Sequence, residues 1–139
     1  KTPLQNNIGT VQSSPQPYFT SSNGKTKKFN LTRQDIPFSN QQLLDTAQLH
    51  KSNRLTFAGN AYQKHTNRPG NASNPNLPKV AYPEMNMAGE KFVNTILNHP
   101  QATFVKSVVN NVETYEIEVP GLGGLEFNVN GTLKGFLNP

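Results

Sequence analysis

The sequence predicts an α+β domain in which helices come first and an antiparallel sheet follows. Three observations predict it. Apolar residues recur at helical spacing up to about residue 97, and from Thr103 they alternate one by one. Ser39-Asn40-Gln41-Gln42 is a capping-box pattern immediately before an apolar helical run. Asn130-Gly131 stands between two alternating runs, and that dipeptide is a strong hairpin signal.

Residues 1–38 are rich in Gln, Asn, Ser, Thr and Pro and show no sustained apolar period. They read as a partly ordered linker, with Phe19, Phe29 and Phe38 as docking points and a basic knot at Lys25, Lys27 and Lys28. The domain proper is expected over 39–139. Its first helix runs from Ser39 through Leu43, Leu44 and Ala47 to about His50. A second helix is expected from Leu55 to about His65, with Gly59 as its weak point and Pro69-Gly70 as its stop. An Asn- and Pro-rich loop then leads to a third helix, from Asn86 to Leu97, ending before Pro100.

Four strands are expected over 103–109, 113–119, 124–129 and 132–137. Tyr115, Ile117 and Val119 alternate with Glu116 and Glu118, and Leu125, Phe127 and Val129 with Glu126 and Asn128. That pattern buries one face of a meander, and the helices are its natural cover.

Composition limits the classes open to this chain. Hydrophobic residues make up 33% of its 139, below the usual share of roughly 45–50%, so the core is expected to be small. The absence of cysteine removes disulfides, thiolate metal sites and thiol nucleophiles. No apolar run approaches a membrane span, so no stable membrane insertion is expected. The start at Lys1 lacks a signal-peptide apolar stretch, and the chain reads as a piece of something longer. Residues 1–70 carry nine Lys or Arg against two Asp, whereas 71–139 carry four Lys against six Glu. A polyanion-facing surface built from the first half fits that asymmetry, as does a plain solvated basic face.

The stretch Phe57 to Gly70 holds the chemistry. Lys64 and Arg68 stand four residues apart, so both cations share one helix face, and His65 and Arg68, three apart, are also neighbours. An imidazole can exchange protons near neutral pH, and two cations can hold a developing phosphate charge without a metal. The plainer account is a cationic last turn compensating the helix dipole. His50 and His99 fit that account too. The three histidines are scattered and no paired Asp lies near them, so neither metal nor cofactor is expected. Glu113, Glu116, Glu118 and Glu126 fall on the meander, largely on its polar face; three of them within six residues could supply a general base, but solvated strand faces ordinarily look like this. Gly121, Gly123 and Gly124 do not lead a strand into a helix and form no phosphate loop.

Two groups of motifs carry a resemblance. Ala58-Gly59, Ala61, Gln63-Lys64-His65 and Arg68-Pro69-Gly70 form the first. Ile96-Leu97, Pro100, Thr103, then Gly123, Leu125, Phe127, Asn130-Gly131, Gly135-Phe136-Leu137 and Pro139 follow in order. Over about 55–139 the chain resembles the C-terminal toxin domains of contact-dependent growth-inhibition (CdiA-type) and related polymorphic bacterial toxins. The resemblance implies a barnase/EndoU/colicin/RelE-like fold, with N-terminal helices packed on a four- to five-stranded antiparallel sheet. It implies RNA cleavage, most often of tRNA, and a cognate immunity protein that blocks the site. The domain would end a large surface or secreted effector and act in the cytoplasm of a target bacterium. Lys64, His65 and Arg68 fall on the motif, and Thr103 matches a small hydroxyl position. Asn60 stands where a basic residue is common, and Asn138 where an acidic one precedes the final proline.

The reading expected from this is a ribonuclease acting by 2′-OH attack on the adjacent phosphorus. His65 is general base or acid, Lys64 and Arg68 hold the phosphorane charge, and Thr103, Tyr115 or Glu116 supplies the complementary group. Expected partners are tRNA, an acidic immunity protein and a host translation factor that presents the substrate. The alternatives are a non-catalytic nucleic-acid-binding module, with Phe104, Tyr115, Phe127 and Phe136 stacking bases, and a structural adhesin tip.

Overall fold

The computed structural model describes residues 15–67 and 73–139. Three helices lie on one face of an antiparallel sheet, so the architecture is α+β as the sequence predicts. The strands are β1 (Phe19–Thr20), β2 (Thr26–Leu31), β3 (His50–Ser52), β4 (Leu55–Thr56), β5 (Thr103–Val109), β6 (Val112–Val119), β7 (Gly123–Asn128) and β8 (Leu133–Leu137). The helices are α1 (Asn40–Ala47), α2 (Phe57–Asn67) and α3 (Met85–Leu97).

The main sheet has six strands in the order β1-β2-β5-β6-β7-β8, not four or five. The added strands come from the segment read as a linker. Phe29 and Leu31 of β2 alternate with Lys28 and Asn30, and β2 pairs along its whole length with β5. The last four strands form the expected meander. Asn110 and Asn111 turn the β5–β6 hairpin with φ of 51° and 67°, a left-handed pair that Asn tolerates better than most residues.

Helix α1 starts where the sequence places it. Ser39 Oγ accepts the Gln42 amide at 3.0 Å, and Gln42 Oε1 accepts the Ser39 amide at 2.8 Å. It ends at Ala47, short of His50. The residues that follow make a small hairpin, β3 and β4, turned by Asn53 and Arg54 at φ 52° and 66°. His50 and Leu55 are therefore strand residues, and α2 starts at Phe57.

Gly59 is the residue that lets α2 approach α3. A Cβ on Gly89 would stand 2.3 Å from the Ala58 carbonyl oxygen, and one on Gly59 would stand 2.1 Å from Asn86 Oδ1. The two backbones touch through Ala58, Gly59 and Gly89, which offsets the poor helix propensity of glycine.

Cross-strand register defines the two faces of the sheet. Leu31, Phe104, Ile117, Leu125 and Phe136 form one continuous row, and Phe29, Lys106, Tyr115, Phe127 and Leu133 the next. Leu31, Phe104, Tyr115 and the apolar members between them pack under the helices with Leu43, Val93 and Ile96. Fully burying each such large side chain is worth roughly 1.5–3 kcal/mol. Asn30, Val105, Glu116, Glu126 and Gly135, in register between those rows, point to the opposite face.

Candidate active site

The structure separates the predicted site residues into two groups. Lys64 and His65 lie on the last turn of α2, on the helical side of the sheet. Thr103 and Glu116 lie on the opposite face. Tyr115 is half-buried on the helix-facing side, in the row beside Phe127. Arg68 and the Pro69-Gly70 stop fall outside the described residues.

The turn carrying His65 is held from three directions. Thr66 is buried, and its hydroxyl donates back to the Tyr62 carbonyl at 2.9 Å. The Asn74 amide donates to the His65 carbonyl at 2.8 Å, which satisfies an orphan acceptor at the helix end. Asn74 is buried, and its side chain ties this corner to the β6–β7 connection through the Leu122 carbonyl at 3.0 Å. Finally, the His65 ring meets the end of the chain. Its Nδ1 lies 2.7 Å from Asn138 Oδ1, and the ring centroid lies 6.0 Å from that of Phe136.

That contact orients the ring. With Asn138 Oδ1 as the acceptor, the matching neutral ring carries its proton on Nδ1 and has Nε2 as its acceptor. Lys64, one residue earlier, is exposed and makes no ion pair with any described residue. A half-buried, oriented imidazole thus sits on the last turn of α2, and the exposed Lys64 precedes it by one position on the same turn. An imidazole can take up a proton, and a cation on the same helix turn can stabilise a nearby anion.

The opposite face is built differently. Glu116 is only 5% exposed, and Lys28 Nζ reaches both its oxygens, at 3.0 and 3.2 Å. Burial pulls the Lys28 pKa down, but the hydrogen bond and charge of Glu116 outweigh it, so the ammonium stands above its ordinary value. Glu118, half-buried on the same face, is raised by burial first and by the charge of Glu116 second. Ser107 and Thr114 are buried beside them, and Thr114 Oγ1 donates to Glu126 at 2.8 Å. Thr103 Oγ1 donates to the Glu118 carbonyl at 3.3 Å. Lys28 pairs with Glu116 and Lys134 with Glu126, whose oxygen lies 3.8 Å from the ammonium, while no described residue makes an ion pair with Glu118.

Sequence reasoning missed Lys28, Asn74 and Asn138 as partners of these groups. Asn138 had a signal, because it sits in the closing motif of the resemblance that also carries His65. Asn74 had none beyond its place in an Asn-rich loop. Among the described residues, no group of three or more His, Cys, Asp or Glu is placed to hold a metal ion. No described helix is long and apolar enough to cross a membrane.

A family model described as the CdiA C-terminal tRNase toxin domain matches residues 44–138. That span holds all three helices except the start of α1, strands β3 to β8, and both His65 and Asn138. No curated protein and no solved structure matches the chain.

Proposed function

We propose a mechanism for a chain that belongs to the CdiA C-terminal tRNase toxin domain family: it cuts tRNA by internal transesterification, with His65 moving the proton and no metal ion. The observation that carries this reading is the 2.7 Å contact between His65 Nδ1 and Asn138 Oδ1, which orients the ring so that, with Nδ1 donating, Nε2 serves as the base. Nε2 takes the proton from a ribose 2′-OH as that oxygen attacks the adjacent phosphorus. The bond to the 5′ oxygen breaks, and that oxygen takes a proton from solvent. The products are a 2′,3′-cyclic phosphate and a 5′-hydroxyl. Lys64, and Arg68 three residues beyond His65, offset the extra negative charge of the phosphorane, commonly the largest electrostatic contribution in such sites.

Family membership supports delivery to a competing bacterium as the end of a surface effector. The nine cations of the first 70 residues favour an acidic immunity protein as the inhibitor. Incubating the purified domain with total tRNA and excess chelator tests the reaction. Discrete fragments ending in cyclic phosphate are expected; tRNA that stays intact, or that is cut only after divalent metal is restored, overturns it.

A second reading places the chemistry on the opposite face of the sheet, and the observation favouring it is the buried Glu116 beside the raised carboxyl of Glu118. Glu116→Gln separates the two. On the first reading it cleaves at close to the parent rate, on the second it does not. A non-catalytic module would bind tRNA under the same conditions without cutting it.

A further inference from the structure

An apolar pocket of about 340 Å³ lies between α2, α3 and the segment that follows α2. Tyr62, Leu77, Phe92 and Leu122 supply walls. Tyr62 is three residues before His65 on the same helix, and the buried Tyr62 hydroxyl is tied to the Pro78 carbonyl, which fixes the wall. Phe92 lies 4.7 Å from Phe136, ring centre to ring centre, and Phe136 in turn packs against His65. The pocket and the imidazole therefore flank a single aromatic pair. The transesterification chemistry makes no use of this pocket.

We propose that the pocket holds a base of the RNA next to the linkage being cut, an inference that rests on His65 as the reacting group. Its volume falls within the range of small-ligand sites, roughly 300–1,000 Å³, and its lining is apolar with few polar groups. A nucleobase has the matching form, two flat apolar faces and a polar edge, and proteins commonly read single-stranded RNA by stacking such faces on aromatic rings. Lys91 on the lining is exposed and has no carboxylate partner among the described residues, so it is free to meet a flanking phosphate. An uncharged apolar ligand would have no use for that cation. The Asn76 side chain donates to the Gly121 carbonyl at 2.7 Å, which leaves its own carbonyl oxygen to accept from the edge of a base. Holding a base here would also steady the neighbouring ribose against Nε2, so the pocket contributes to positioning as well as to affinity.

The test is a titration of the folded protein with the four nucleoside 3′-monophosphates, read by amide and methyl NMR shifts. At millimolar concentration at least one is expected to shift Leu77, Val80, Ala88 and Leu122 in a saturable way. Ala88→Phe, which fills the pocket from α3, should weaken that binding about tenfold or more, in line with the loss of a stacked base. Lys91→Glu should weaken it too, and it serves where Ala88→Phe does not fold. His65→Ala should keep the same shifts while losing cleavage. A His65→Ala protein that still cuts tRNA sinks the catalytic reading and leaves the binding result standing. The pocket proposal is overturned if no nucleotide shifts these residues, if the shifts map to the Glu116 face or to Lys25–Lys28, or if neither pocket variant alters them.

Discussion

His65 Nδ1 and Asn138 Oδ1 meet at 2.7 Å although 73 positions of sequence separate them. The last turn of α2 is thereby fastened to the residue that follows edge strand β8. In such an arrangement the amide orients the ring without adding charge.

Asn138→Ala should therefore lower the cleavage rate about tenfold to a hundredfold through loss of orientation, with little change in KM. Asn138→Asp should do something different. A carboxylate on Nδ1 favours the charged imidazolium, so the rise of activity with pH should move to higher pH. Single-turnover rates across a pH series check both. A flat response in Asn138→Asp would mean that the contact does not reach the reacting group.

The Lys28–Glu116 pair predicts an asymmetry in stability. Lys28→Met leaves a buried carboxylate unpaired and should cost about 2–3 kcal/mol, below the full cost of breaking a buried pair because the ammonium is partly exposed. Adding Glu116→Leu should recover most of the loss, since the uncompensated charge is then gone. Urea denaturation of the single and double variants decides it. A Lys28→Met protein as stable as the parent contradicts the assignment.

Glu118 gives a pH-dependent prediction. Its folded pKa is raised, so the folded state holds that proton more tightly than the unfolded chain does. The stabilisation is present below the ordinary glutamate value and is lost as pH rises through the raised one. Glu118→Gln cannot lose it. The variant should melt higher than the parent at neutral pH, and the difference should vanish in acid. Its size is under about 1 kcal/mol, discounted for the solvent around a half-buried carboxyl. Melting curves at neutral and acid pH test the sign. A variant that melts lower at neutral pH is incompatible with it.

The contact of α2 with α3 at Gly89 predicts a cost for one methyl group. Gly89→Ala places a Cβ 2.3 Å from the Ala58 carbonyl oxygen, so the helices must separate. A loss of about 1–3 kcal/mol or more is expected despite the better helix propensity of alanine. Because α2 carries His65, cleavage should fall with it. An unchanged melting temperature in this variant would rule out the close crossing.

The helices from Ser39 onward and the four-strand meander were legible because each has a strong local signal. The Ser39–Gln42 box and the Tyr115-Ile117-Val119 alternation are examples. Strand β2 was obscured because Lys27, Lys28 and Asn30 surround only two apolar residues, and its partner β5 lies more than seventy positions away. Its signal was the spacing of Phe29 and Leu31. The β3–β4 hairpin was hidden because Asn53 and Arg54 adopt left-handed backbone without glycine. At the site, His65 and Lys64 could be picked out as chemistry, but a helix end offers no hint of its tertiary partner. The hydrogen bond to Asn138, and the sheet that separates Glu116 from His65, depend on register and packing across the whole domain.

The most direct measurement is the cleavage rate of His65→Ala on total tRNA, made alongside its melting temperature. The account predicts a protein as stable as the parent that has lost at least about a hundredfold in rate, the usual effect of removing an acid–base group. A folded His65→Ala that cuts tRNA at close to the parent rate would contradict it.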